Sequence, residues 1–407
     1  MTPWLPLPTP CKECYPRTFR HRVCQVNRTA LWFGLATTFL FSLHSILRHL
    51  QPDYAHFISV SNVRAHLQWT TGNWTAPENT TVLSEYELGS NGTRRANAVL
   101  LMLARNSELD GALSSVQQLE DRFNKRFGYP WVFLNEVPFT DEFKEKMSAI
   151  ISGPVSFGLI PHDHWFQPDW IDEDKATSGR EHLIKDGVIY GGSVPYRNMC
   201  RFNSGFFYRH QLVQKYKWYW RVEPNVNFLC DTDFDPFLFM EENDKLYGFT
   251  VSLYEWPQTV PTLWDAVKEF IDIHPEYLAP NNSMKFLSDN GGNTYNMCHF
   301  WSNFEIANLE FWRGEAYSKF FDHLESKGGF YYERWGDAPV HSIGAALFAR
   351  KDQIHFFDDI GYQHPPFAHC PRSAEVRRDK NCTCSQFGSF DYNAYSCLRK
   401  WEQVVRS

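Results

Sequence analysis

The chain lacks any excess of positive charge. Its 40 lysines and arginines are outnumbered by 47 aspartates and glutamates, giving a formal charge of -7. That removes the electrostatic footprint of a nucleic-acid binder. No Gly-x-Gly-x-x-Gly follows the first strand-like run, so the usual dinucleotide turn is missing. Internal repeats and low-complexity blocks are absent as well, which excludes solenoids and propellers. Formal charge is also missing from residues 29–47, TALWFGLATTFLFSLHSIL, where His44 is the one readily ionisable group. Nineteen such residues suffice for one helical membrane span.

That uncharged run sets the organisation of the rest. Lys12, Arg17, Arg20, Arg22 and Arg28 precede it against Glu13 alone. By the positive-inside rule residues 1–28 stay cytosolic and the remainder faces the lumen. A cleaved signal peptide is the competing reading. The 28-residue leader is long for one and no small-x-small cleavage site follows, so an uncleaved anchor is expected. Its short length suits a thin early-secretory membrane. Sequons at Asn73, Asn79 and Asn91 crowd the polar stretch 48–93, which reads as a glycosylated stem. Others follow at Asn281 and Asn381, while Asn27 falls on the cytosolic side.

Cysteines divide between the two sides: Cys11, Cys14 and Cys24 before the anchor, and seven after it. Cys11-x-x-Cys14 fits metal or redox chemistry or reversible lipidation, and nothing in the sequence separates these. Four of the seven, Cys370, Cys382, Cys384 and Cys397, crowd the C-terminal tail, where bridges can staple a segment with little core. Seven is odd, so one thiol is expected to stay free.

Residues 94–407 read as one α/β domain. Ala98 to Leu103 is a buried-strand run. Leu109, Ala112, Leu113, Val116, Leu119 and Phe123 then recur at helical spacing, with Ser107 as N-cap and an end near Phe127. Tyr129 to Leu134 reads as the next strand, and a helix opens at Pro138-Phe-Thr140. This alternation predicts a parallel sheet with crossover helices. Further on, strands are expected over 246–253 and 354–357, and helices over 262–274, 317–325 and 341–349.

Candidate chemistry starts at Trp218 to Met240, WYWRVEPNVNFLCDTDFDPFLFM. Pro224 ends ladder pairing, so Glu223 is expected at a strand end, where open α/β sheets bind ligands. With Asp231, Asp233 and Asp235 following, a metal–phosphate site is one reading; a Glu223–Arg221 surface pair is the other. Glu305, flanked by Phe304 and Ile306, is either a solvated helix carboxylate or a partly buried one. Asp337 after Gly336 is a helix cap or a site acid, and His364 lies in a Pro-rich loop. Aromatics make up 17% of the chain with 15 Trp; most serve a core, and some suit the apolar faces of sugars.

Six blocks carry a resemblance: YPWVFLNEVPFTDEFK (129–144), GGSVPYRNMCRFNSGFFYRH (191–210), YWRVEPNVNF (219–228), CHFWSNFEI (298–306), GGFYYERWGDAPVHSIG (328–344) and FFDDIGYQHPP (356–366). Together they resemble the fungal Golgi α-1,2-mannosyltransferases, the glycolipid 2-α-mannosyltransferase family, over roughly 95–402. The resemblance implies a glycosyltransferase-A fold with a Rossmann-like mixed sheet flanked by helices, a GDP-mannose donor, Mn²⁺, and mannose-containing glycoprotein acceptors in the Golgi. It leaves room for a complex of Golgi mannosyltransferases. By position it assigns Glu223 and His364 to the metal and Glu305 to the carboxylate near the anomeric carbon. Tyr196 matches a tyrosine near donor and acceptor, Asp337 an essential aspartate, and Arg221 a donor contact. Asn225 stands where the family often has an acidic residue or glycine, leaving Glu223 the one carboxylate of that step. Two other classes stay open: a glycoside hydrolase, needing neither metal nor nucleotide, and an inactive lectin-like relative.

The topology is testable directly. Glycosidase treatment should lower the mass of the membrane-bound protein, and protease added to sealed vesicles should spare residues 48–407. Digestion of that segment from outside, or glycan at Asn27, would overturn the orientation.

Overall fold

A computed structural model describes residues 94–406. The expected anchor, stem, first three cysteines and first three lumenal sequons lie outside these residues. Among the described residues no helix is long and apolar enough to cross a membrane.

The expected β-α-β-α start is present. Strand β1 (Ala98–Leu103) leads into a helix beginning at Leu109, which passes through a π-turn at Glu120–Asn124 and ends at Phe127. Gly128 stops it in the left-handed region, with φ 68°. The N-terminal bond differs from expectation: Glu108, not Ser107, closes the first turn by accepting from the Arg105 N–H. Strand β2 (Trp131–Asn135) follows, then the Asp141–Ile150 helix, N-capped by Thr140. Strand β3 (Val155–Leu159) completes this half.

Strand β4 (Trp218–Val222) pairs in parallel with β1. Beyond a short β5 (Asn227–Phe228) come β6 (Tyr247–Phe249), β7 (Ser252–Tyr254), β8 (Cys298–Phe300), β9 (Glu305–Asn308), β10 (Ile354–Phe356), β11 (Tyr362–His364) and β12 (Phe367–His369). The main sheet has the order β10-β6-β9-β4-β1-β2-β3. Every neighbouring pair is parallel except the two made by β9, which runs antiparallel to both β4 and β6. The sheet is therefore mixed rather than purely parallel.

The run 246–253, expected as one strand, is two. Its first part joins the main sheet, and after Thr250 and Val251 its second pairs with β8 in a separate ribbon. An unbroken apolar run does not reveal that its partners change halfway. The other expected elements fall where anticipated, as Leu263–Ile273, Glu315–Ser326, Asp337–Phe348 and β10.

Side chains alternate across the sheet with period two. Leu100, Met102, Trp131, Phe133, Trp218, Trp220 and Ile306 form one buried face, covered by the two early helices. Val99, Leu101, Val132, Leu134, Tyr219, Tyr247 and Ala307 form the other, packed under the Val194–Gly205, Leu263–Ile273, Glu315–Ser326 and Asp337–Phe348 helices. Most aromatics do serve this core.

Two disulfides tie the tail to the body, Cys230–Cys382 and Cys298–Cys397, and a third, Cys370–Cys384, closes within the tail. Cys200 is the free, buried seventh. The bridge separations of 99 residues for Cys298–Cys397 and 14 for Cys370–Cys384 give different chain entropies. Replacing the first pair by serine should cost about 4–5 kcal/mol and the second about 3 kcal/mol. Urea unfolding of the two double variants measures the order; a larger loss from the short bridge would contradict it.

Candidate active site

Strand direction assembles the site. Because β9 is antiparallel, its first residue, Glu305, lies at the carboxyl ends of its neighbours. Arg221 is its cross-strand partner in register on β4. Tyr219 and Arg221, two apart, share one face of β4. A cavity opens there, lined by Leu103, Leu134, Tyr219, Arg221, Glu223 and Glu305 among others.

Glu305 has no exposed surface. It is a strand carboxylate, not the solvated helix residue of the alternative reading. Tyr219 donates to its Oε2 at 2.7 Å, Tyr247 donates to Oε1 at 3.0 Å, and His341 Nδ1 lies 2.7 Å from Oε1. Trp312 Nε1 donates in turn to the Tyr219 hydroxyl at 3.1 Å. Burial, reinforced by the Glu305 charge, pushes both tyrosine hydroxyls well above their usual range, so they stay protonated donors.

Arg221 spans two carboxylates. Its Nη1 donates to Asp337 Oδ2 at 2.5 Å, while Nε donates to Glu223 Oε1 at 3.0 Å. Burial opposes the guanidinium charge; Asp337, Glu223 and Glu305 outweigh it and hold Arg221 well above its ordinary value. Asp337 opens the Asp337–Phe348 helix, where the dipole favours an anion. It also accepts from Ser302 Oγ at 2.7 Å. Burial alone would raise its carboxyl, and the Arg221 charge overrides this to hold it below the usual range. Asp337 is thus more than a cap. Deleting one partner of so buried a pair typically costs ~3–5 kcal/mol, because the other charge is left unpaired.

Glu223 follows β4 directly. Pro224 and Asn225 turn the chain, Asn225 at φ 62°. A Cβ on Gly111 would lie 2.5 Å from the Asn225 amide, so the close approach requires glycine there. The chain then enters β5, which pairs with β11, and β11 ends in His364. This pairing carries His364 back beside Glu223, with Nε2 and Oε2 4.0 Å apart. His364 Nδ1 lies 3.2 Å from the Pro365 carbonyl oxygen. A carbonyl only accepts, so Nδ1 carries the hydrogen and Nε2 presents a lone pair. Oε1 of Glu223 is taken by Arg221, leaving Oε2 to face that lone pair. Nε2 and Oε2, 4.0 Å apart, are close enough to share one cation, and an imidazole with a carboxylate is a donor set that suits Mn²⁺.

Five of the six expected residues therefore meet: Arg221, Glu223, Glu305, Asp337 and His364. Tyr196 stands beside them in the first turn of the Val194–Gly205 helix, whose Ser193 N-cap accepts from its N–H. Its ring packs on Tyr190 at 4.7 Å and beneath Arg334 at 5.0 Å. The three aspartates are corrected. Asp231 pairs with Arg122 at 2.9 Å and Asp233 with Lys380 at 3.2 Å. Asp235 caps the Pro236–Glu242 helix and accepts from the Tyr129 hydroxyl. Asp231 and Asp233 are thus drawn to the early helix and the tail, and Asp235 to its own helix and Tyr129, so the three do not converge.

Tyr219, Tyr247, Ser302 and His341 escaped the sequence reading. A signal existed for two of them. Tyr219 alternates with Arg221, and His341 lies four residues after Asp337, on the same helix face.

A fixed cation, a cation-binding pair and a buried anion at the strands' carboxyl ends suit transfer of a group whose leaving partner departs as an anion. The mixed sheet and this mouth place the chain among the GT-A-type glycosyltransferases. The pattern described as Glycolipid 2-alpha-mannosyltransferase matches residues 59–406, and the chain belongs to that family. It is 53% identical over 307 residues to Glycolipid 2-alpha-mannosyltransferase 2 of Candida albicans, covering 75% of this chain and 67% of that protein. It is 52% identical over 308 residues to the O-glycoside alpha-1,2-mannosyltransferase omh1 of Schizosaccharomyces pombe, covering 76% and 78%. Among solved structures, the mannosyltransferase Ktr4p of S. cerevisiae in complex with GDP superposes with TM-score 0.78 at 42% identity, covering 85% of this chain and 91% of that one. Core-mannan synthase A of Aspergillus fumigatus in its Mn/GDP form gives 0.73 at 42% identity, covering 81% and 91%.

Glu223→Gln and His364→Ala should each raise the Mn²⁺ concentration needed for half-maximal activity at least tenfold and lower the rate at saturating metal by about 10²-fold. Metal titration of the initial rate is the measurement. Wild-type metal dependence in either variant would remove that residue from the metal pair.

Proposed function

We infer that this chain is a retaining α-1,2-mannosyltransferase, moving mannose from GDP-mannose to mannose-terminated glycans of glycoproteins, O-linked, N-linked or both, with Mn²⁺. The observation that carries the reading is the Glu223–His364 pair facing across 4.0 Å beside the buried, fully engaged Glu305. The names of the relatives support the reaction, and the Mn/GDP form of core-mannan synthase A supports the metal and nucleotide. A glycoside hydrolase needs neither. We further place the enzyme in the Golgi membrane with this domain lumenal, resting on the basic leader and uncharged run before it.

The residues divide the work. Bound Mn²⁺ neutralises charge growing on the departing GDP, as a Lewis acid does. Arg221 holds Glu223 in place and lends its own positive charge to the diphosphate side. Asp337 anchors Arg221 and so keeps that cation between Glu223 and Glu305. Tyr196 edges the acceptor side. Glu305 supplies negative charge beneath a sugar whose anomeric carbon becomes positive. GDP-mannose is α-linked, so an α product retains configuration. That requires either a covalent mannosyl–Glu305 or a same-face attack assisted by the leaving phosphate. Two tyrosine donors and the His341 ring contact engage this one carboxyl group, dispersing its charge and fixing its position. This weakens a nucleophile and suits a stationary stabilising charge, so the same-face route is favoured.

Glu305→Gln should lower turnover by roughly 10²–10³-fold, the scale on which one preorganised electrostatic group acts. GDP affinity should stay near wild type, because this reading assigns Glu305 to the sugar and not to the nucleotide. Initial rates with GDP-mannose and α-methyl mannoside, beside calorimetry with GDP and Mn²⁺, test both halves. Mass spectrometry of rapidly quenched wild-type enzyme should find no mannosyl adduct on Glu305. An adduct would restore the nucleophile, and near-normal turnover would take Glu305 out of the chemistry.

A further inference from the structure

Beyond its contact with Glu305, His341 is fully buried and has a hydrogen-bond partner at each ring nitrogen. Nε2 lies 2.9 Å from the carbonyl oxygen of Asn203. That oxygen only accepts, so Nε2 carries a hydrogen. Nδ1 lies 2.7 Å from Glu305 Oε1, and a contact that short needs one hydrogen between the two atoms. On nitrogen, it makes an imidazolium facing a carboxylate. On oxygen, it makes a neutral imidazole facing a carboxylic acid. In both forms the pair is neutral overall, which a site with no exposed surface tolerates far better than a bare carboxylate.

The surroundings favour the charge-separated form. Asn203 lies in the last turn of the Val194–Gly205 helix, whose carbonyl end attracts a cation. From β4, Tyr219 donates to Glu305 and Arg221 is its cross-strand neighbour; from β6, Tyr247 donates as well. The Asp337–Phe348 helix contributes Asp337, whose negative charge lies near the ring. Tyr317, from the Glu315–Ser326 helix, also faces the ring at 5.9 Å. The Trp312 ring stacks on the imidazole at 4.4 Å and 21°, fixing its plane.

We propose that His341 is the positioning residue that keeps Glu305 ionised and aimed beneath the donor sugar, retaining the shared proton on Nδ1 throughout transfer. No proton leaves the pair: the Nδ1–H bond persists and the electron pair stays on Oε1. The proposal rests on the reading of Glu305 as the charge beneath the sugar.

Two substitutions separate the two bonds. Asparagine places its amide nitrogen near Nδ1 and keeps a permanent donor for Glu305. Glutamine reaches toward Nε2 and keeps only the Asn203 contact. Removing a donor from a buried carboxylate favours its neutral form. With saturating GDP-mannose, α-methyl mannoside and Mn²⁺, His341→Gln should fall about 100-fold in kcat near neutrality, with GDP affinity within about threefold of wild type. Its rate should recover as pH rises, the acid limb lying about one pH unit or more above that of the wild type. His341→Asn should bring the limb back and recover most of the rate. A structural role would not move the limb or distinguish the two variants. An unshifted limb in His341→Gln, equal losses in both variants, or loss of GDP affinity would each overturn the proposal.

A measurement without turnover stands beside it. Infrared difference spectra against Glu305→Gln should show no carboxylic-acid band from Glu305 in wild type and one in His341→Gln at the same pH. A band in wild type would refute the proposal. Should wild type transfer no mannose at all, the functional reading fails, while the infrared comparison still decides the state of the pair.

Discussion

Everything at the mouth of the sheet depends on one guanidinium. Arg221 is the cation that Glu223, Asp337 and Glu305 share, and each comes from a different part of the chain. Without it, Glu223 and Asp337 would lose their common partner and the three acids would repel one another more strongly at the carboxyl end of a buried strand. With it, each is held differently. Asp337 is fully engaged by Arg221 and Ser302. Glu223 is held by one oxygen and keeps the other open. Glu305 is close to the cation but takes its hydrogen bonds from tyrosines and a histidine. One charge thereby sorts three chemically alike side chains into three roles.

The antiparallel β9 is what makes that sorting possible. In a purely parallel sheet the residue beside Arg221 would be reached from the same direction and lead out into a loop. Reversing one strand places the start of β9, not its end, at the mouth. Glu305 then has the rigidity of a strand residue with neighbours on both sides, Tyr219 from β4 and Tyr247 from β6. The small β5–β11 pairing does the equivalent for Glu223 and His364, joining two loops that are over a hundred residues apart in sequence. A central strand thus carries Glu305, and a short ribbon at the sheet's mouth brings His364 to the end of β4 beside Glu223.

Much of this was legible in the sequence because local patterning and fold agree in the first half of the domain. β1, the helix ending at Phe127, and the Thr140-capped helix emerge within a few residues of their expected bounds. Legibility drops where partners are distant. The run 246–253 looks uniform but serves two sheets, which no local period records. Asp231, Asp233 and Asp235 looked like a ligand cluster because they alternate, yet their partners, Arg122, Lys380 and Tyr129, are known only once the tail and the early helix are packed. The site residues were found through the resemblance of long blocks. The three partners of Glu305 were not, since two tyrosines and a histidine in an aromatic-rich chain look like core until a carboxylate is seen among them.

The bridges to the tail also bear on how the domain is made. A ribosome delivers the chain from its N-terminus, and β1, β2 and β3 with their helices can pair as they emerge, since their partners are near in sequence. Cys230 and Cys298 cannot close until residues 382 and 397 have been synthesised. The ribbon strand bearing Cys298 and the segment leading out of the Glu223 turn thus stay covalently open after every strand of the mouth, β9 and β11 included, has been made. A chain cut before residue 382 would display free thiols at Cys230 and Cys298, a chemical mark that separates it from a copy whose bridges have closed.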